Sequence, residues 1–151
     1  MKTQRRAFIH SVAAACLAAF CVSVQAEPDL LQPDEAFRVS ARRVDARVVE
    51  LEYIIAPGYH LYRDRFSFKT DNPAVKVAGV ELPPSLEKFD KAMGQNMRYY
   101  TDRVTVRVRL AGGNQSAKLM VTAQGCAAVV GVCYAPITKA FSVPAMGGKQ
   151  G

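Results

Sequence analysis

Residues 104–110 read Val104-Thr105-Val106-Arg107-Val108-Arg109-Leu110, with apolar and polar side chains in strict alternation. Successive side chains of an extended chain point to opposite faces. This run therefore gathers Val104, Val106, Val108 and Leu110 on one side and Thr105, Arg107 and Arg109 on the other, as a half-buried strand requires. Residues 47–55 repeat the pattern, with Val49, Leu51, Tyr53 and Ile55 opposite Glu50 and Glu52. Weaker runs of the same period predict strands over 36–41, 61–69, 75–80, 118–123 and 137–143. Turn chemistry separates them: Pro57-Gly58, Asp71-Asn72-Pro73, Pro83-Pro84 and Gly112-Gly113-Asn114. No window beyond the first 26 residues has the period of an amphipathic helix. Short strands with a turn about every ten residues predict an all-β domain, an immunoglobulin-like antiparallel β-sandwich. Residues 87–97 break the alternation and read as a long loop, the kind of segment that carries function on a rigid sandwich.

The first 26 residues have a different logic. Lys2, Arg5 and Arg6 precede an apolar stretch from Ser11 to Val24, then Val24-Gln25-Ala26 precedes Glu27. Charge, apolar core and small-residue site in that order predict an export signal cleaved after Ala26, and the apolar run is shorter than the roughly 20 residues of a spanning helix. Arg5-Arg6-Ala7-Phe8-Ile9 also resembles a twin-arginine signal. The expected organisation is a signal peptide over 1–26, one domain over 27–144 and a frayed tail over 145–151, in an exported, periplasmic protein. Losing the signal removes three of the 20 basic residues and no acid, leaving 17 against 13. That excess is small and scattered along strands, so nucleic acid is not an expected partner.

Cleavage also removes Cys16 and Cys21 and leaves Cys126 and Cys133 as the only pair. An even count in an exported chain predicts that they can form a disulfide. The residues alone leave several roles open. A structural staple of so short a loop contributes roughly 2.5 kcal/mol in the chain-entropy model, and would fit a non-catalytic binding module. An exchange-active pair needs Cα atoms within about 7 Å and one sulfur that a partner's thiolate can reach. Phe89 and Met93 are candidates for covering the sulfurs. A metal site built from Cys126, Cys133, His60 and Asp90 matches no zinc spacing, so neither metal nor other cofactor is expected.

The segments Gln124-Gly125-Cys126-Ala127 and Gly131-Val132-Cys133-Tyr134-Ala135-Pro136 resemble the cysteine hairpin of the periplasmic N-terminal domain of the thiol:disulfide interchange protein DsbD. Pro33-Asp34-Glu35-Ala36-Phe37, Gly58-Tyr59-His60-Leu61-Tyr62-Arg63, Leu82-Pro83, Tyr100-Thr101-Asp102-Arg103-Val104 and Thr138-Lys139 extend the similarity over 29–143. The resemblance implies a pair that cycles between dithiol and disulfide, with Cys133 forming the mixed disulfide and Cys126 resolving it. It places Tyr62 at the site, His60 where the family carries a second tyrosine, and 89–95 as a cap loop containing Phe89, Asp90 and Met93. It implies a thioredoxin-like or membrane-embedded electron donor, and thioredoxin-fold acceptors such as DsbC-like and cytochrome c maturation proteins. A monomer is expected. This chain departs from the family in enclosing six residues between the cysteines instead of five. Ala127-Ala128 stands where an acid is usual, and Lys91 and Ala92 stand on a second cap acid and the shielding phenylalanine. No multi-span segment or thioredoxin-like domain follows, so the donor is expected to be a separate protein.

Overall fold

The computed structural model describes residues 29–112 and 115–145. The expected signal peptide and nearly all of the expected tail lie outside them. The described chain opens with one helical turn, α1 (Pro33–Ala36), whose Glu35 carboxylate accepts a hydrogen bond from the Gln32 N–H. Twelve strands follow: β1 (Phe37–Arg43), β2 (Val48–Ile55), β3 (Tyr59–Tyr62), β4 (Ser67–Thr70), β5 (Val75–Glu81), β6 (Leu86–Asp90), β7 (Gln95–Tyr100), β8 (Arg103–Gly112), β9 (Ala117–Ala123), β10 (Gly125–Ala127), β11 (Val132–Cys133) and β12 (Ile137–Val143).

They form three antiparallel sheets in the orders β1-β2-β8-β5, β12-β9-β4 and β11-β10-β3-β7-β6. The opening stretch is the centre of the first. Val104, Val106 and Val108 of β8 pair directly with Tyr53, Leu51 and Val49 of β2. Their buried face shares one core with Leu119 and Val121 of β9, and Leu51, Val106, Val108, Leu119 and Val121 are all 0% exposed. Each such side chain contributes roughly 1.5–3 kcal/mol by leaving water. The opposite face is charged: Glu50 accepts from Arg107 at 3.1 Å and also from Arg42, Glu52 pairs with Arg103, and Glu81 with Arg109 at 2.6 Å. These exposed pairs contribute little stability each. They keep the outer face wetted. The antiparallel immunoglobulin-like sandwich expected from period two is the fold observed.

Two expectations are corrected. The single strand expected over 61–69 is two strands in different sheets, broken by a 3₁₀ turn at Arg63–Arg65. His60, Leu61 and Tyr62 are buried in succession, which fits a strand covered on both faces. Three charged residues then let the chain cross between sheets, held by the Arg98 guanidinium on Asp64 at 2.9 and 2.5 Å. The long loop expected over 87–97 is instead the hairpin β6–β7 with the turn Lys91–Gly94. Strand β6 lies at a sheet edge with four of its five residues exposed, so no apolar alternation marks it.

Candidate functional site

The cysteine segment lies between β3 and the edge of the five-stranded sheet. Strand β10 pairs with β3 through Gly125↔Leu61, Cys126↔His60 and Ala127↔Tyr59. Its other side pairs with β11 through Cys126↔Cys133 and Ala127↔Val132. The six enclosed residues are thus one cross-strand pair plus a four-residue turn, Ala128 to Gly131. The turn closes with the Gly131 N–H donating to the Ala127 carbonyl at 2.9 Å, and Gly131 adopts φ 69°. The longer spacer still sets the cysteines opposite each other. They are joined as a disulfide with Cα atoms 3.9 Å apart, within the reach such a bond requires.

The two sulfurs have unequal surroundings. Cys126 is 1% exposed, whereas Cys133, on the two-residue edge strand β11, is partly exposed. Tyr62 and Met97 are buried against Cys126, and Met93, Tyr99 and Cys133 complete the cluster. The Tyr62 hydroxyl stands 2.9 Å from Cys126 Sγ and 3.6 Å from Cys133 Sγ. That hydroxyl donates its one proton to Asp90 Oδ2 at 2.6 Å. A disulfide sulfur carries no proton, so the Tyr62 oxygen faces it without one between them.

Asp90 ends β6 and ties the hairpin to the site. Its Oδ1 accepts the backbone N–H groups of Ala92 at 2.9 Å and Met93 at 3.0 Å, which sets the turn that carries Met93 against the Cys126 cluster. Burial alone would raise its pKa, but the hydrogen bonds from Tyr62, Met93 and Ala92 outweigh burial and hold the carboxyl below its ordinary value. Burial and the Asp90 carboxylate push the Tyr62 hydroxyl well up, so it stays protonated. His60 is 3% exposed, and neither ring nitrogen has a hydrogen-bond partner. Its Nε2 lies 3.5 Å from Asp90 Oδ2. Burial pushes its pKa down against the pull of Asp90.

These directions give a signed prediction. Below about pH 6.5 an unfolded chain protonates His60 while the folded one resists, so the unfolded state binds more protons and stability drops as the pH is lowered. Asp90 adds a second loss below about pH 3.9, since its folded pKa is lower than its unfolded one. Urea midpoints are expected to fall between pH 7.5 and 5, and His60→Gln should flatten that limb while leaving the acid limb.

A cleft of about 650 Å³ opens beside the disulfide, between the β6–β7 turn and the β10–β11 turn. His60, Asp90 and Cys126 line it, with Phe89, Lys88, Lys91, Val129 and Val130 around them. A family profile described as "Thiol:disulfide interchange protein DsbD, N-terminal" matches residues 27–145. The chain belongs to the DsbD N-terminal family. It is 37% identical to the thiol:disulfide interchange protein DsbD of Ralstonia nicotianae over 84% of this chain and 21% of that protein. It is 39% identical to DsbD 1 of Pseudomonas aeruginosa over 75% of this chain and 19% of that one. It therefore spans about a fifth of the length of the curated relatives it matches. The solved DsbD n-terminal domain of Neisseria meningitidis in the reduced form superposes with a TM-score of 0.68 at 31% identity, covering 79% of this chain and 93% of that one. The complex between the DsbD N-terminal and PilB N-terminal domains of N. meningitidis matches with a TM-score of 0.63 at 31% identity, over 76% and 87%.

Against the family resemblance, Cys126, Cys133, His60, Tyr62, Asp90 and Met93 all meet at one place. Phe89 is 61% exposed on the rim of the cleft that reaches Cys126, and Met93 is partly buried against the Tyr62–Met97–Cys126 cluster. Residue-by-residue reading missed Met97 as a buried neighbour of Cys126, since its place in β7 depends on the unmarked hairpin. It also missed the tip valines: Val129, Val130 and Val132 are 86%, 43% and 40% exposed. An apolar run facing water was their signal.

Proposed function

We propose that this chain is a periplasmic thiol-disulfide exchange domain. It passes reducing equivalents through Cys126–Cys133 between a thioredoxin-like or membrane-linked donor and thioredoxin-fold acceptors. The observation that carries the reading is the asymmetry of the bond: one sulfur partly open on a two-residue edge strand, the other buried 2.9 Å from a hydroxyl. A donor thiolate attacks Cys133 Sγ, its electron pair forms the new S–S bond, and the Cys126–Cys133 bond breaks with its pair left on Cys126. A second donor thiolate then attacks the donor sulfur of the mixed disulfide. Cys133 leaves as a thiolate, the donor departs oxidised, and both protein sulfurs are reduced. Delivery to an acceptor runs the same steps in reverse, with Cys126 resolving the mixed disulfide at Cys133. An N-terminal signal over 1–26 would deliver the domain to the compartment where such exchange is needed.

The deciding measurement is the reduction potential of the pair in defined thiol buffers. An exchange-competent bond is expected well above about −300 mV. A value below that would assign the disulfide to an inert binding module.

The cleft rim also bears on partner choice. Phe89, Val129, Val130 and Val132 offer exposed apolar area, and the exposed charged side chains lining the cleft are Lys88 and Lys91. Such a surface favours a partner with acidic residues beside its own cysteines. Reversing both charges with Lys88→Glu and Lys91→Glu is expected to slow exchange with an acidic thioredoxin-fold dithiol about tenfold at low salt. Reduction by dithiothreitol should stay close to that of the parent. Stopped-flow rates at two ionic strengths check both.

A further inference from the structure

Of the polar groups around the disulfide, His60 has no assigned work. It is buried, both ring nitrogens lack a hydrogen-bond partner among the described residues, and it borders the cleft that reaches Cys126. An unpartnered polar group in that position costs stability. A run of short distances links it to the reacting bond: His60 Nε2 to Asp90 Oδ2 3.5 Å, Asp90 Oδ2 to the Tyr62 hydroxyl 2.6 Å, and that hydroxyl to Cys126 Sγ 2.9 Å. His60 and Tyr62 address the same carboxylate oxygen. The other oxygen, Oδ1, is taken by the Ala92 and Met93 N–H groups.

We propose that His60 is a positioning residue for the Tyr62 proton: as imidazolium it takes over Asp90 Oδ2 and frees the hydroxyl of Tyr62 to donate to the Cys126 sulfur. The inference rests on the exchange chemistry proposed above. With neutral His60, the Tyr62 proton stays on Asp90 and the departing sulfur meets only the lone pairs of the hydroxyl oxygen. With the imidazolium in place, the same hydroxyl turns its proton to Cys126. The covalent step is unchanged. The attacking thiolate's electron pair forms the bond to Cys133 Sγ, the pair of the broken bond resides on Cys126, and one negative charge moves from the attacker to Cys126. The Tyr62 proton stabilises that charge by a hydrogen bond, and no proton changes owner.

Groups on β3, β6, β7 and β10 face the ring. Asp90 from β6 attracts the imidazolium, and Lys88 from the same strand opposes it. Tyr62 on β3 lies with its ring centroid 4.9 Å away and Tyr99 on β7 at 5.2 Å, and Cys126 on β10 is the cross-strand neighbour. Burial delays protonation to below about pH 6.5, the ordinary value, so the hydroxyl turns only under acid conditions.

The direct test is NMR of the oxidised protein labelled with ¹³C in tyrosine and histidine, titrated from about pH 7.5 to 4.5, a range that brackets the ordinary histidine value. The Tyr62 Cζ resonance should move with the His60 midpoint, and His60→Gln should abolish that movement. A Tyr62 signal that ignores the His60 titration overturns the proposal, and this arm needs no exchange activity and no variant that folds. The second test follows reduction by a small thiol, with each rate divided by the thiolate fraction. In the parent the corrected rate should rise about tenfold as His60 protonates, the size of one hydrogen bond to a charged acceptor, and His60→Gln should stay flat. Identical profiles overturn the proposal. A bond that resists the thiol at every pH while Tyr62 still follows His60 overturns the exchange reading instead, and leaves the coupling between the two side chains standing.

Discussion

The Cys126→Ala variant is expected to accumulate mixed disulfides at Cys133 with thioredoxin-like proteins supplied in their disulfide form, and Cys133→Ala to lose exchange altogether. The two cysteines are chemically equivalent in sequence, so the difference comes from burial. Attack on a disulfide needs a roughly linear approach to one sulfur, and only Cys133 is partly exposed. Once attacked, Cys133 keeps the partner and Cys126 leaves into the pocket formed by Tyr62 and Met97. Remove Cys126 and the site holds no second thiol to resolve the mixed disulfide. Remove Cys133 and the remaining sulfur is the one that is 1% exposed, out of reach of a partner. Its alkylation by iodoacetamide is expected to be about 100-fold slower than that of Cys133 in the Cys126→Ala protein. Mass spectrometry of the trapped adducts and alkylation rates check both halves. Equal alkylation of the two single-cysteine variants would remove the basis for assigning Cys133 as the attacked sulfur.

Gly125→Ala is expected to be the most damaging one-carbon change in the site, costing roughly 3 kcal/mol, the upper part of the overpacking range. A Cβ there would stand 2.5 Å from the His60 carbonyl oxygen, 2.5 Å from Phe37 Cζ and 2.7 Å from Phe37 Cε1. The carbonyl belongs to the β3–β10 ladder and cannot retreat without breaking it. The Phe37 ring is held in the core, with its edge contacts to Tyr59 and Tyr134 at centroid distances of 6.0 and 5.5 Å. The strand that carries Cys126 must therefore shift. Gly94→Ala is the control. Gly94 has φ 67° and no heavy atom within 4 Å of an added Cβ, so only the left-handed backbone cost of about 1–2 kcal/mol applies. Urea denaturation of the two variants should rank Gly125→Ala well below Gly94→Ala. The reverse order would show that the β3–β10 contact is looser than its geometry.

Much of the fold was legible because burial on one face writes itself into every second residue. Strand β8, strand β2, and strands β9 and β12 on the opposite side of the core all announced themselves that way. The elements around the disulfide did not. Strand β3 is buried without interruption from His60 to Tyr62, so it has no alternation to show. Strand β6 is almost wholly exposed, so it reads as loop. Gly125 was visible as a glycine beside Cys126, yet the reason for it, a carbonyl and a ring lying where a methyl would go, belongs to residues 65 and 88 positions earlier in the chain.

By itself the order of residues determined the sandwich, the family and the identity of the disulfide pair, because period-two burial and a cysteine hairpin are local patterns. Tertiary structure alone decided which sulfur is open, that Met93 packs against the Cys126 cluster while Phe89 stands on the cleft rim, and that His60 and Tyr62 share one oxygen of Asp90. Those facts depend on distances between strands β3, β6, β7 and β10, which lie side by side only after the sheet has closed. Side-chain chemistry is inherited from sequence, but exposure and hydrogen-bond competition arise from packing.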